Sequence, residues 1–412
     1  MNAHFSPCDF AQTEFAFSGS IPPSKSLLIR QLLLKLHTRD LSQPVLSECA
    51  DVQVMHKACV AFEKGDRQID CGEAGLVLRL CVGYASRVGG LYELRGSRRL
   101  MERPHESFFQ VLARVGTRVV RSVGTDKPSL RVEGPAWERP NGPIPLLGGT
   151  SSQFASSLLL NAWRLPFQLE LLCDREPVSK GYLEMSIDLC ERWGMQIDRT
   201  YESDQMTLIV PVRQVPIPRP SISEADVSSA FAVAALAAVS GRCFIDNFPT
   251  KTLQPDHRFV EILSQMGVPL ELNDRGLSVQ KAARLCSIEV DLGGAPDLAP
   301  VLAVLCAISD GTSRIYGAPH LRGKESDRIA STCGLLHILG RACTPTEDGM
   351  VILGQPLSSR DMERSCSFDA TGDHRLVMAG AVAQWAGFPI KMSGVDAVHK
   401  SFPEFLTIAK LV

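Results

Sequence analysis

VLARVGTRVVRSVGTDKPSLRVEG, residues 111–134, runs from an apolar helical stretch into a glycine, then a β-like run, a polar turn and a second β-like run. The same order returns in LCERWGMQIDRTYESDQMTLIVP (189–211), ILSQMGVPLELNDRGLSVQ (262–280) and LLHILGRACTPTEDGMVILG (335–354). Gly116, Gly194, Gly267 and Gly340 mark one point of each copy, about 75 residues apart, a period longer than those of the common solenoids.

A second series keeps step with the first. SKSLLIRQLLL, GEAGLVLRLCV, TSSQFASSLLL, DVSSAFAVAAL, APDLAPVLAVL and GDHRLVMAGAV each open an apolar helix, rich in Ala, Leu and Val, with a short polar motif. The chain therefore reads as an α/β protein of six βαβαββ-like copies, the first shortened. Helices that are apolar nearly all round must be buried, so three of them are expected to fill the core of each of two domains behind a sheet surface. The boundary is expected in the proline-rich stretch VRQVPIPRPSISEAD, residues 212–226, where the periodicity lapses.

A length of 412 residues with 45% hydrophobic content is enough for two substantial cores. The net charge of −2 leaves no surplus for nucleic acid or a membrane surface, so any basic site must be local. The start, MNAHFSPCDFAQTEF, has no secretory pattern, and runs such as AFAVAALAAV are too short to span a bilayer; a soluble cytoplasmic protein is expected. The 13 cysteines show no CxxC or His-pair spacing and read as buried thiols of a reducing compartment rather than metal ligands.

A helix N-terminus carries unpaired N–H groups and partial positive charge, and so stabilises phosphates and carboxylates. Taken singly, SKS and TSSQ read as ordinary Ser/Thr caps. Repetition at one point of every copy suggests instead that they converge on one face of each domain. Lys25, Arg30, Arg103, Lys324, Arg328, Arg375 and Lys400 stand near these starts, which points to one or two small polyanions; each alone reads equally as a solvated surface cation. Asp297 of APD and Glu325 of KESDR lie among these bases, either as salt-bridge partners or as proton-transfer groups.

PSKSLLIR, ERP, SSQF, VSKGY, KESDR, GDHR and KSFPEF, in this order and spacing, resemble the enolpyruvyl transferase family and within it the EPSP synthases. The resemblance runs from about residue 16 onward. It implies a two-domain enolpyruvyl transferase fold, an inside-out α/β barrel of three βαβαββ repeats per domain, closing on substrate like a clamp. A domain at 22–224 would be inserted into a second one made of 1–21 plus 225–412, with the active site in the interdomain cleft. The implied reaction moves the enolpyruvyl group of phosphoenolpyruvate to the 5-hydroxyl of shikimate 3-phosphate and releases phosphate. It needs no metal or organic cofactor, and a monomer without nucleic-acid or membrane partners is expected.

Carried over by position, shikimate 3-phosphate would meet Lys25, Ser26, Arg30, Ser151, Ser152, Gln153, Ser179, Tyr182, Asp297, His320 and Lys324. Phosphoenolpyruvate would meet Lys25, Gly75, Arg103, Gln153, Arg328, Arg375 and Lys400. For catalysis the resemblance points to Asp297 at the substrate hydroxyl, Glu325 and Lys25 in proton transfer, and Lys400, Arg103 and Arg328 around the departing phosphate.

The sequence departs from the family at GEAGL, residues 72–76, where GNAGT is usual: Glu73 replaces an amide and Leu76 a hydroxyl. Pro23, Ile29 and His320 stand where Gly, Asn and Asn are common. Three readings follow: an active enzyme with weaker phosphate contacts and altered glyphosate sensitivity, an impaired paralogue retained as a ligand-binding or regulatory protein, or an enolpyruvyl transferase for another alcohol. Retention of Lys25, Asp297, Glu325, Arg328, Arg375 and Lys400 together favours the first. The UDP-N-acetylglucosamine enolpyruvyl transferases fit less well, since the loop RGSRRLMERP lacks their reactive Cys or Asp.

Overall fold

The structure, a computed structural model, describes residues 14–41, 47–122, 128–147, 151–177, 179–370 and 372–411. Residues 1–13, assigned above to the second domain, lie outside these, as do Thr150 of TSSQ and Val178 of VSKGY. In all four glycine-marked copies a helix stops as the glycine turns into the left-handed region, with φ of +85°, +92°, +83° and +75° at Gly116, Gly194, Gly267 and Gly340. Each glycine N–H donates to the carbonyl three residues back, as from Gly194 to Glu191 (2.9 Å), and the next N–H to the carbonyl five back, as from Met195 to Cys190 (2.9 Å). This pair of bonds satisfies the last helical carbonyls, and glycine adopts the required backbone without a Cβ clash.

After each such stop the chain runs out and back as an antiparallel pair that joins an earlier parallel pair. The four-stranded sheets are Gln68–Asp70, Gly90–Arg95, Ser129–Gly134, Arg118–Ser122; Ile144–Leu146, Leu169–Asp174, Gln205–Val210, Asp198–Glu202; Phe15–Gly19, Gly241–Ile245, Gly276–Gln280, Leu270–Asn273; and Glu289–Asp291, Gly311–Tyr316, Met350–Gly354, Ala342–Pro345, each in spatial order. The first pair in each is parallel and the other two pairings are antiparallel. Two further copies are shorter. One consists, among the described residues, of the helices Lys25–Thr38 and Ala50–Lys64. The other keeps the parallel pair Cys366–Asp369 and Ile390–Ser393 around the helix His374–Ala386. Shortening of this last copy was not expected from the sequence. Its cause is that Val395–Lys400 coils into a 3-10 turn and Phe405–Ile408 into a helical turn where the other copies have their antiparallel strands.

The described residues divide into two units: those up to Ser24 with those from Glu224 onward, and those within Lys25–Ser223. We call them the terminal and middle units. In the terminal unit the strand Phe15–Gly19 pairs in parallel with Gly241–Ile245, more than two hundred residues away, from Phe15 opposite Gly241 to Gly19 opposite Ile245. Ser24 N–H donates to the Glu224 carbonyl (2.7 Å), so the chain re-enters this unit beside the point at which it left.

Each unit is built around three central helices. In the terminal unit Val227–Ser240, Ala299–Ala307 and His374–Ala386 pack on one another; in the middle unit Lys25–Thr38, Gly75–Val88 and Ser152–Leu160 do. Ala299–Ala307 is buried along its whole length, which explains its lack of a polar face. Central helices begin where the polar motifs lie, so the repeat gathers their N-terminal ends.

Asn247 ties the remote strand down, its Oδ1 accepting from Ile21 N–H (2.9 Å) and its Nδ2 donating to the Ile21 carbonyl (2.8 Å). Asn247→Ala should therefore lower the stability of the terminal unit by about 1–3 kcal/mol, measured as a lower urea midpoint at unchanged slope. An unchanged midpoint would show that the pairing of Phe15–Gly19 holds without this clasp.

Candidate functional site

In the terminal unit the helix Arg328–Ile338 starts with its first side chain turned inward. Arg328 is 1% exposed, and its guanidinium is ringed by carboxylates. Nε donates to Asp373 Oδ2 (2.8 Å), Nη2 to Asp373 Oδ1 (3.1 Å) and Glu325 Oε2 (3.1 Å), and Nη1 to Asp297 Oδ1 (2.8 Å). The planar fork of arginine suits this two-toothed grip on Asp373; the compact ammonium of lysine could not make it. Burial alone would lower the Arg328 pKa, but Asp373, Asp297 and Glu325 outweigh it and hold the group more firmly protonated than usual.

Asp297, on the 3-10 turn Pro296–Leu298, shares its oxygens among three cations: Arg328, Lys324 Nζ (3.4 Å) and Arg375 Nη2 (3.4 Å). Burial pushes its pKa up, yet Lys324, Arg328 and Arg375 together hold it well below the usual carboxylate range. Lys400, at the end of the 3-10 turn Val395–Lys400, meets Glu325 Oε1 at 3.1 Å and is 8% exposed. Asp297, Glu325, Lys324, Arg328, Arg375 and Lys400, all singled out from the sequence, thus form one linked network. His320 stands beside it, its two buried ring nitrogens without hydrogen-bond partners among the described residues. Burial, and then the charge of Lys324, push the His320 ring down to about 4, so it is neutral near pH 7.

The middle unit gathers a second set. Lys25, the first residue of its helix, lies 3.2 Å from Asp51 at the start of Ala50–Lys64. Arg30 is buried one turn further on; Nε donates to Ser186 Oγ (2.8 Å), Nη1 to the Ser26 carbonyl (2.9 Å) and Nη2 to the Tyr182 carbonyl (3.2 Å). Ser186 Oγ in turn donates to Ser156 Oγ (2.8 Å), so Arg30 joins the helices Lys25–Thr38, Lys180–Arg192 and Ser152–Leu160. Burial, the largest influence, pushes the Arg30 pKa down to about 10, which leaves it charged at neutral pH. Ser151 caps Ser152–Leu160 through the Gln153 N–H (3.4 Å), Ser152 is buried, and Ser179 opens Lys180–Arg192 with φ of +57°.

Gln153 Oε1 accepts from Arg79, and both Arg79 and Arg103 crowd the start of Gly75–Val88. A Cβ on Gly75 would fall 2.6 Å from Arg103 Nη1 and 3.4 Å from Arg79 Nη1. Glycine is what lets two guanidiniums reach this helix end. Ala74 at the cap position provides no side-chain bond to the first N–H groups. Glu73 is exposed on the preceding turn, and Leu76 is half-buried against the apolar core. The leucine therefore extends the packing and offers the turn no donor.

The helix starts are not equivalent, as the sequence reading had supposed. In the terminal unit Asp226 accepts from Ser229 N–H (2.9 Å) and Asp373 from Arg375 N–H (3.0 Å), so two starts already carry an anion of their own. Sequence reasoning also passed over Asp51, Arg79, Asp226, Asp256 and Asp373. Arg79 was detectable, since position i+4 from Gly75 places it on the same helix face one turn in. Asp226 and Asp373 were visible as the Asp of DVSS and GDHR, immediately before an apolar helix.

A family model for EPSP synthase (3-phosphoshikimate 1-carboxyvinyltransferase) matches residues 39–408. A 3-phosphoshikimate 1-carboxyvinyltransferase of Methanobrevibacter smithii is 30% identical, the match covering 93% of this chain and 93% of that protein. One of Methanopyrus kandleri is 33% identical over 82% of this chain and 76% of its own. Among solved structures, an EPSP synthase from Acinetobacter baumannii superposes with a TM-score of 0.71 at 21% identity, over 97% of this chain and 96% of that one. The enolpyruvyl transferase NikO from Streptomyces tendae does so with 0.70 at 14% identity, over 97% and 95%. The structural likenesses establish a shared fold, the two-domain enolpyruvyl transferase fold. With the family match over most of its length and relatives of this similarity, the chain belongs to the EPSP synthase family.

Proposed function

We propose that this protein transfers the enolpyruvyl group of phosphoenolpyruvate to the 5-hydroxyl of shikimate 3-phosphate, releasing phosphate. The observation that carries this reading is Asp297, a half-buried carboxylate bound to Lys324, Arg328 and Arg375 beside the Glu325–Lys400 pair. The reaction needs a base for the attacking hydroxyl, a proton donor for the methylene carbon, and cations for the phosphate that leaves. Asp297 takes the first role, while Glu325 and Lys25 carry protons to and from the methylene carbon. Lys400 and Arg103 stabilise the departing phosphate. Arg328, with its nitrogens facing carboxylates, would meet a ligand by exchanging one of them, and otherwise keeps Asp297 and Glu325 in place. Ser26, Ser151, Ser152, Gln153, Ser179, Tyr182, His320 and Lys324 serve shikimate 3-phosphate, with Arg30 holding the helices that present several of them. Gly75, Gln153 and Arg375 serve phosphoenolpyruvate.

Two bound phosphates carry about −1.5 to −2 charges each near neutral pH, and the basic side chains just named offset them. Glu73 and Leu76 remove an amide and a hydroxyl from one turn, but a neutral hydrogen bond is worth only about 1 kcal/mol net. Arg79 and Arg103 at the same helix start are charged donors and outweigh that loss.

The test is phosphate release from phosphoenolpyruvate by purified protein with and without shikimate 3-phosphate. Release that requires shikimate 3-phosphate, and a kcat lower by roughly 10²–10⁴-fold in Asp297→Ala with shikimate 3-phosphate binding largely kept, is the expected result. Near-normal kcat in that variant would refute the role of Asp297. Binding of shikimate 3-phosphate without turnover by the unaltered protein would support a ligand-binding role instead.

Gly75→Ala should push Arg103 from the helix start, raising the KM for phosphoenolpyruvate severalfold with little change for shikimate 3-phosphate. Steady-state kinetics in each substrate checks this, and an unchanged KM for phosphoenolpyruvate would remove Arg103 from its site.

A further inference from the structure

We propose that Asp256, a buried acid in QPDHR, tunes the proton affinity of Asp297 and so positions the base of the reaction. The inference rests on the reading of Asp297 just given. QPDHR and APDL place Pro-Asp at the first two positions of a 3-10 turn in consecutive copies, Pro255–Arg258 and Pro296–Leu298. The two turns pack on each other and on the central helix Val227–Ser240. Asp256, ahead of the second helix of its repeat, and Asp297, ahead of the first helix of the next, thus lie on adjoining turns with opposite surroundings. Asp297 is 21% exposed and holds three cations, whereas Asp256 is 1% exposed. The Ser228 hydroxyl donates to Asp256 Oδ2, and its Oδ1 is buried without a hydrogen-bond partner among the described residues.

An ionised carboxylate with an empty buried oxygen is costly, and a proton on that oxygen removes much of the cost. The charged groups facing Asp256 are Asp297 from the adjoining turn, Asp226 from the cap of Val227–Ser240, and Arg375 from His374–Ala386. On its own turn Arg258 donates to the Asp291 carbonyl (2.7 Å), and the His257 ring meets the Pro249 carbonyl (3.1 Å). Burial first, then the charge of Asp297, push Asp256 up to about 7, against the pull of Arg375 and Ser228. Its proton therefore leaves near neutral pH. The negative charge that remains lies beside Asp297 and Arg375, partly cancels the cations that make Asp297 a weak base, and raises its proton affinity. Turnover should accordingly increase as pH rises through about 7.

The experiment is the pH profile of kcat for the full chain at saturating shikimate 3-phosphate and phosphoenolpyruvate, with 13C titration of aspartate carboxyls in the ligand-free protein. The unaltered protein should show a rising limb near 7 and a carboxyl titrating there. Asp256→Asn should lack both, with a plateau lower by roughly three- to tenfold. Ser228→Ala removes a bond that favours the ionised form, so its limb should move to higher pH. Limbs from ionisation of the substrate phosphates persist in every variant. A limb unchanged in Asp256→Asn, or no carboxyl titrating near 7, overturns the proposal. Near-normal kcat in Asp297→Ala would instead overturn the reading beneath it, while the carboxyl titration of Asp256 in the unaltered protein would stand.

Discussion

A guanidinium enclosed by carboxylates is the constraint on which the terminal unit's chemistry depends. Arg328 and Asp373 are both withdrawn from water, and neither could be buried alone at acceptable cost. Their pairing joins the start of one helix to the start of another, because Asp373 also caps His374–Ala386. From that anchor Arg328 reaches Asp297 on its 3-10 turn and Glu325, which in turn holds Lys400. Four separate stretches of chain are brought into register by one side chain. A buried ion pair of this kind adds little net stability compared with apolar packing, but its geometry is strict, and strict geometry is what the base we propose between these cations requires.

The middle unit reaches a comparable end by other means. Its central buried cation, Arg30, is held by a hydroxyl and carbonyls rather than carboxylates. Glycine at position 75 leaves one helix start open to Arg79 and Arg103, where the terminal unit has filled two of its starts with Asp226 and Asp373. The same repeat thus yields an anion-seeking helix end in one copy and an acid-capped one in another, according to a residue or two in the opening motif.

Much of this was legible in the sequence. The glycines at 116, 194, 267 and 340 announced the repeat because a left-handed helix end tolerates few other residues, and the all-apolar helices announced the cores because they have no face to show water. Asp297, Glu325, Arg328, Arg375 and Lys400 were named from their motifs and do meet in a single network. What was not legible depended on contacts between distant segments. The pairing of Phe15–Gly19 with Gly241–Ile245 carries no local signal, and nothing in APD or GDHR says that Asp373 would take two of the four bonds of Arg328. The sequence shows Asp256 and Asp297 as two Pro-Asp pairs, but their adjacency and opposite environments come from which turns and side chains the packing brings together. Truncation of the last copy likewise followed from 3-10 coiling after Gly394 that periodicity does not foretell.

The central claim is that Arg328 and Asp373 act as one unit holding the network, and a double-mutant cycle on stability addresses it most directly. Asp373→Asn removes charge but preserves a good helix cap, and Arg328→Met keeps the bulk of the side chain. Each single change should cost about 3–5 kcal/mol by urea unfolding, because it leaves the partner's charge buried. The double variant should cost little more than either, giving a coupling energy on the order of 2 kcal/mol or above. Strictly additive losses would show that the two residues contribute independently and would contradict the account.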